Sequence, residues 1–526
     1  MASLLRHSLV LLLVVSITPV LRAADDGDKN LPLLVGTITV DAVPVFNDEE
    51  ASHGSFYRYA NFLHVQTRES LLERFLLFRT GDRFDAAKLE ETERNLRLFD
   101  FLKSASVTAG PPHDGVVDVA IVTQNVWTTD VNGDYSNDGG KPAYDFDVTQ
   151  KDLFGSGSEL ELHLGTTVER RSNTIEFLHP ALFGPYWNLD TLYSKNSDGN
   201  EEKIQVDRPL FSYTTPWTAS FLFDHTLRNS RTFQNAEVAA RFRQEHRQFM
   251  LARSRVVRAD QNGSASIVGA LDVQDDVFAR LAGRPLDVIP DARHFRFFEA
   301  GYESTGFRFM KLDYVDRDLR EQDFNLGRVT TVRIGFSPAH ATWRLRAGQS
   351  IGLRLRDRSF LLTRLSATTR NSRDRNTIVS ADLRSVTRFL TRYPQAFVAR
   401  AHLDLGSRLD RDVQFLADGQ NGLRAYPDFA FEGARRFIIN AEHRIFLGRE
   451  ILQMFGPSLA FFVDSGQAVD HALRWSGMKT DAGIGLRIGL ARFESAMLRV
   501  DFAWALSSSP LNRPGHVISI STVHAF

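Results

Sequence analysis

Beyond its first two dozen residues the chain has no apolar run of the about 18–20 residues that a membrane-crossing helix needs. From residue 128 to residue 526 it instead alternates apolar and polar side chains with period two. In 159–169, Leu160, Leu162, Leu164 and Val168 fall on one face, and Glu159, Glu161, His163 and Glu169 on the other. In 396–405, Phe397, Ala399, Ala401, Leu403 and Leu405 oppose Val398, Arg400, His402 and Asp404. In 482–490, Ala482, Ile484, Leu486, Ile488 and Leu490 oppose Gly483, Gly485, Arg487 and Gly489. In 495–504, Ala496, Leu498, Val500, Phe502 and Trp504 oppose Ser495, Met497, Arg499, Asp501 and Ala503. A sheet exposed to water also alternates, but here charges sit mid-strand opposite an unbroken apolar row, and the pattern persists with almost no helical periodicity. A bilayer demands that every backbone polar group be paired internally, which leaves helices and closed barrels. The expected fold is therefore a transmembrane antiparallel β-barrel over 128–526, with about sixteen strands. The stretch 254–294, polar and interrupted by Gly and Pro, reads as a long external loop.

Composition fits. Lys+Arg is 63 against Asp+Glu 64, so no basic excess points to nucleic acid as a partner. A hydrophobic fraction of 43% and a mean hydropathy of −0.23 suit a barrel wall, whose alternation cancels in the mean. Phe is high at 40 residues, as aromatic girdles at the two membrane interfaces would require. Cysteine is absent, which removes thiol nucleophiles and thiolate metal sites. Residues 1–24 read as a cleaved export signal: Arg6 and His7, an apolar stretch from Leu9 to Ile17, Pro19, then small Ala23 and Ala24.

Residues 34–125 read as one small α/β module in the order strand, helix, helix, strand, strand. Val35 to Val45 is β-branched, and Leu71, Leu72, Phe75, Leu76 and Phe78 recur at helical spacing. Thr80-Gly81-Asp82 makes a turn, and a second helix from Asp85 carries Leu89, Leu96 and Phe99. Strands over Leu102 to Thr108 and Val116 to Thr123 follow, separated by Pro111-Pro112 and Asp114-Gly115.

Several short motifs then fall in a telling order. Thr80-Gly81-Asp82-Arg83-Phe84, Glu93-Arg94-Asn95-Leu96 and Phe101-Leu102 lie in the module. Asp152-Leu153-Phe154-Gly155-Ser156-Gly157, His179-Pro180-Ala181-Leu182-Phe183-Gly184 and Arg208-Pro209 lie early in the barrel. Leu423-Arg424-Ala425-Tyr426, Glu432-Gly433 through Asn440-Ala441-Glu442-His443-Arg444, and Phe462-Val463-Asp464-Ser465-Gly466 lie late, and the last residue is Phe526. Together they resemble the Omp85 superfamily of outer-membrane assembly and secretion barrels, the surface antigen D15-like proteins, over nearly the whole chain. By that resemblance the module is a single POTRA-like periplasmic domain, and Phe526 is a C-terminal barrel signal. Ala425 stands where the family carries Gly, and His524 where an aromatic residue is frequent.

The resemblance implies that the loop carrying Leu423, Arg424, Ala425 and Tyr426 folds into the barrel. Arg424 would then meet Asp464 on the inner wall, with Glu442 as a second acidic partner and Tyr426 packing against the wall. A guanidinium and a carboxylate in a narrow lumen can form paired, charge-assisted hydrogen bonds. The implied role is insertion or translocation of proteins at the bacterial outer membrane. Its partners are the lipid bilayer, unfolded outer-membrane or secreted clients, and periplasmic proteins. No enzyme motif, cofactor site or metal-ligand spacing is present: Gly-x-Ser-x-Gly, His-Glu-x-x-His and a phosphate loop are all missing. Two rivals are a two-partner-type secretion channel and a passive or structural barrel. The former usually carries a plug helix, for which the roughly ten residues between leader and first strand leave no room.

Overall fold

The computed structural model describes residues 32–526 apart from 139–140, 168–169, 235–236, 284–287, 316–320, 339–340, 372–374, 448–450, 453, 491, 493–496, 508–514 and 522–526. The leader at 1–24, Val168, Glu169, Ser495, Ala496, His524 and Phe526 lie outside the described residues.

The N-terminal module contains Leu34–Val43 (β1), Asp48–Ser52 (α1), Ser55–Leu63 (α2), Glu69–Arg74 (α3), Ala86–Arg97 (α4), Leu102–Ala109 (β2) and Val116–Asn125 (β3). β3 is central, parallel to β1 and antiparallel to β2. Local chemistry sets the helix starts. Asn47 and Glu50 form a reciprocal capping box on α1, and Asp85 caps α4 by accepting from the Ala87 amide. Leu71, Leu72, Phe75, Leu89 and Leu96 pack on Val35, Leu102, Val119 and Ile121 to make one dry core. The expected strand–helix–helix–strand–strand order is present, with α1 and α2 inserted after β1. That pair was not foreseen, because two helices of one or two turns give too short a window for a periodic signal.

Twenty antiparallel strands close the barrel. The first are Thr129–Asp138 (β4), Lys141–Leu153 (β5), Ser158–Thr166 (β6), Arg171–His179 (β7), Asn188–Asn196 (β8) and Gly199–Arg208 (β9). Three long strands follow, Trp217–Gln234 (β10), Glu237–Asp260 (β11) and Gly263–Arg280 (β12), then Arg293–Gly306 (β13). A small inserted hairpin, Phe309–Leu312 (β14) with Gln322–Asn325 (β15), precedes Val329–Ser337 (β16), Thr342–Arg356 (β17), Ser359–Asn371 (β18), Asn376–Phe389 (β19) and Gln395–Ser407 (β20). A second inserted hairpin, Phe415–Ala417 (β21) with Phe431–Gly433 (β22), precedes Arg435–Phe446 (β23) and Phe455–Val469 (β24). The wall ends with Lys479–Leu490 (β25), Met497–Ala505 (β26) and His516–Ser521 (β27).

The count of twenty corrects the expected sixteen. The stretch 254–294, expected as a loop, is mostly the end of β11 and all of β12, joined by a tight turn. β11 is roughly 80 Å long at about 3.3 Å per residue, far beyond the about 9–11 residues a spanning strand needs. Its excess length carries Arg253, Arg255, Arg258 and Asp260, so the apolar row that would betray a strand is missing there. Short polar strands such as β8 and β9 hide for the same reason.

Where alternation is clear, the structure follows it. Leu498, Phe502 and Trp504 point outward and are exposed, while Asp501 and Ala503 between them are buried inside. Phe397 and Leu405 point outward, and Val398 and Asp404 inward. An outward apolar belt around a closed ladder is what a barrel presents to lipid. An even strand number returns the chain to the rim where the module sits. Among the described residues, the last strand β27 meets the first strand β4 through one register pair, Ile520 with Tyr135.

A closed ladder resists mild detergent. The purified protein is expected to run compactly on a gel unboiled and more slowly after boiling; identical mobility in both lanes would contradict the barrel.

Candidate functional site

The inner wall of β23–β26 carries a concentration of charge that follows from strand register. Glu442 lies opposite Phe462, Phe462 opposite Gly483, and Gly483 opposite Ala503, so all four share the lumen face. One step along, Asn440, Asp464 and Asp481 form a parallel row, and on the other side so do Arg444, Ala460, Gly485 and Asp501. Small residues create the room. An added Cβ on Gly483 would lie 2.2 Å from the Phe462 ring, and one on Gly485 would collide with both Arg487 and Asp501.

Into this space folds the connection between β20 and β23, from the rim away from the module. Asp418 cinches it, accepting from the amides of Asn421 at 3.0 Å and Phe429 at 2.8 Å. Leu423 and Tyr426 are fully buried with Ala417, Ala430, Ile438 and Ala468. Arg424 then reaches the wall. Its Nε and Nη2 donate to the two oxygens of Asp464 at 2.7 and 3.0 Å, a bidentate pair. Its Nη1 donates to Glu442 at 2.9 Å and to Asp501 at 3.2 Å. The guanidinium carbon sits 3.4 Å from the centre of the Phe462 ring. Arg444, Arg487 and Arg499 complete the cluster, so four guanidiniums face the carboxylates of Glu442, Asp464, Asp481 and Asp501. Elsewhere the same connection crosses the lumen. Arg293 of β13 donates to both oxygens of Asp412 at 2.7 and 2.8 Å, and Phe429 stacks on Phe233 of β10 at 4.1 Å.

From the opposite rim the β14–β15 hairpin enters the barrel. Met310, Leu312, Val315 and Leu326 are buried against the inward side chains of Phe360, Val386 and Val398. Arg388 donates to Asp313 at 3.0 Å, and Arg444 donates to the Val315 carbonyl. Arg444 also donates to Glu442 Oε1 at 2.8 Å, while Arg424 holds Oε2. One carboxylate thus joins the insertion from outside to the insertion from the module side.

The hairpin is in turn fastened to the module. Arg97 of α4 donates to Asp323 at 2.8 Å, Lys311 donates to Glu93 at 2.9 Å, and Arg94 lies over the Phe309 ring at 4.5 Å. Glu93 also pairs with Arg97 and accepts from the Val107 amide on edge strand β2 at 3.1 Å. Three barrel turns hold the module from the side. In the Asp152–Gly157 turn, Asp152 accepts from Thr67 at 2.6 Å, and an added Cβ on Gly155 would lie 2.7 Å from the Gln66 carbonyl oxygen. Asp152, Phe154, Gly155 and Gly157 all adopt positive φ there. Ala181 is buried in the module's core. Ser212 and the Tyr213 amide donate to Glu91 at 2.7 and 3.0 Å. Burial raises the Glu91 carboxyl above its ordinary range although those two hydrogen bonds and Arg94 oppose it.

The expected residues therefore meet. Arg424 contacts both Asp464 and Glu442, and Tyr426 packs, with its hydroxyl 3.0 Å from the carbonyl oxygens of Thr480 and Ser507. Ala425 needs no glycine: it avoids positive φ, its Cβ side packs on Phe462 and Ala503, and its amide donates to Asp481 at 3.3 Å. Sequence reasoning missed Asp501, Asp481, Arg444, Arg487 and Arg499 as members of the site. Arg487, Arg499 and Asp501 were already legible as charges opposite an apolar row. The hairpin and its module contacts carried no signal.

No protein-family model matches the chain, and no characterised protein matches it in sequence. Solved structures similar to it include CdiB from Acinetobacter baumannii, 14% identical over 93% of this chain and 73% of that one, with a TM-score of 0.48. CdiB from Escherichia coli is 11% identical over 93% and 77%, with a TM-score of 0.49. BamA from Haemophilus ducreyi lacking POTRA domains 1–3 is 12% identical over 92% and 84%, with a TM-score of 0.37.

Arg424→Ala takes the bidentate guanidinium from buried Asp464 and one of the arginines from Glu442, which keeps Arg444 and Arg487; breaking a buried pair in this way typically costs about 3–5 kcal/mol. The inward loop should become sensitive to external protease on intact cells or proteoliposomes, whereas Arg435→Ala should not change it. Equal sensitivity of both variants would contradict the lock.

Proposed function

We propose that the chain is an Omp85-like barrel of the bacterial outer membrane, its single POTRA-like module in the periplasm, that assists insertion or translocation of client proteins. The observation that carries this reading is the Arg424–Asp464 pair under an inward-folded external loop, the arrangement the motif resemblance implied. Two further features support it. The first and last strands, β4 and β27, are neighbours in the closed wall, so the barrel has a seam at which two strand edges can part without breaking a hairpin. The module offers β2 as an edge strand to which an extended client segment can add.

A client strand pairing with β2 would compete with Glu93 for the Val107 amide. Displacing Glu93 removes the nearer of two acidic partners of Lys311, weakens the hold on Arg97, and so loosens the hairpin under the lumen. Engagement in the periplasm is thereby linked to the state of the pore. A secretion channel is the second reading, favoured by a lumen filled by two separate insertions rather than by side chains alone. The reading involves no cofactor and no enzymatic step.

Depletion followed by quantitative outer-membrane proteomics tests the reading: loss of a defined set of barrel or exported proteins is expected, and an unchanged proteome contradicts it. The same readout separates the mechanisms. A Tyr135→Cys/Ile520→Cys disulfide places the lock on residues that face each other across the seam. It should abolish client assembly until reductant is added, whereas Leu222→Cys/Met250→Cys, within the firmly paired β10–β11 hairpin, should be harmless. Full client assembly with the seam quantitatively locked would refute lateral opening and favour passage through the lumen.

A further inference from the structure

The α1–α2 insertion lies between the module and the barrel rim, and none of the described residues covers its outer face. Phe56, Tyr59 and Phe62 recur at every third position of α2, one helical face, and are 58%, 61% and 81% exposed. Three large aromatic side chains in a row on a soluble domain cost solubility without gain unless something covers them. What they adjoin identifies the cover. The Tyr57 hydroxyl donates to the Leu452 carbonyl in the β23–β24 turn, and Arg492 in the β25–β26 turn pairs with Glu50 of α1. In that β23–β24 turn Leu447, Ile451 and Leu452 are exposed as well, and they continue directly into Leu459 and Phe461, which belong to the outward apolar belt. Phe56 and Tyr59 share an apolar hollow with Met454 of that same turn, so the α2 face adjoins the end of the outward apolar belt on the module side.

Beneath the helix lies a cavity of about 340 Å³ lined by Val45, Phe46, Phe56, Tyr59, Ala60 and Trp127, with Met454 and Arg492 closing it from the barrel. Apart from the Arg492 guanidinium its wall is apolar, and at this size it accepts part of an acyl chain. Aromatic residues with a polar tip, such as Tyr59, and an exposed Arg58 between them suit the headgroup level.

We propose that α1–α2 is an interfacial foot: α2 lies in the headgroup region of the leaflet facing the module, with Phe56, Tyr59 and Phe62 immersed and the cavity below taking a phospholipid acyl chain. The foot fixes the module against the membrane beside Trp127, which leads into the first barrel strand. This rests on the barrel residing in a bilayer, and the test separates the two.

Because the chain has no native cysteine, single nitroxide labels can be placed at Phe62→Cys, at Phe461→Cys on the outward face of β24, and at Pro112→Cys on the exposed β2–β3 turn. The full-length protein is reconstituted in phosphatidylcholine–phosphatidylethanolamine vesicles, each variant first checked for heat-modifiable mobility. Relative accessibility to oxygen and to a water-soluble nickel chelate gives depth. The Phe62 label is expected about 5–10 Å below the headgroup surface, the Phe461 label within the hydrocarbon, and the Pro112 label in water. The companion Phe56→Ser/Tyr59→Ser variant should move the Phe62 label into water. A Phe62 label as chelate-accessible as that at Pro112, with Phe461 in lipid, overturns the foot and leaves the barrel standing. A Phe62 label shielded from the chelate but showing dipolar broadening that disappears on dilution with unlabelled protein shows a second copy of the chain as the cover, and also overturns it. A Phe461 label in water overturns the membrane barrel itself.

Discussion

Ring closure is the constraint from which the rest of this structure follows. In lipid a strand can exist only if both its edges are paired, so the wall has to close on itself. With twenty strands it closes around a space too wide for its own side chains to fill. Polypeptide is therefore brought inside from both rims: the loop carrying Arg424 from one, and the β14–β15 hairpin from the other.

The two insertions are anchored differently, and the difference has consequences. Inside the lumen the hairpin combines non-directional apolar contact with Phe360, Val386 and Val398 with a few isolated polar contacts, Arg388 to Asp313 and Arg444 to the Val315 carbonyl. The loop is held by Arg424 among carboxylates, where a small displacement breaks several charge-assisted bonds at once. A buried ion network of this kind adds little net stability compared with apolar packing, and it makes alternatives expensive. It suits an element with two discrete positions, in or out, better than one that drifts. Glu442 couples the two, since its oxygens are divided between Arg424 and Arg444, and Arg444 holds the hairpin at Val315.

Much of this was legible in the sequence, for reasons that can be named. The outward row of Leu498, Phe502 and Trp504 against Arg499, Asp501 and Ala503 gave both the barrel and the lumen face of β26, because one side meets lipid and the other does not. Arg424, Asp464 and Glu442 were found through motif order, not through spacing: 40 residues separate Arg424 from Asp464, and only ladder register brings them together. Asp481 was not singled out, and Arg444, although part of a motif, was not assigned to the site, because a lone charge in a strand does not reveal which loop will reach it. The strand count fell short because β8, β9 and the ends of β11 and β12 lie where alternation fades. The hairpin at 309–325 was hidden because its apolar residues are few and its burial is supplied by a wall distant in sequence.

The central claim is that two independent insertions close one lumen. Single-channel conductance in planar bilayers tests it most directly, comparing the intact protein, Arg424→Ala, a variant with residues 309–325 replaced by a short Gly-Ser turn, and the two changes combined. The account predicts a nearly closed intact protein, brief openings in each single change, and a large steady conductance only in the combination. A large steady conductance in the intact protein, or a combined variant no more conductive than the intact one, would contradict it.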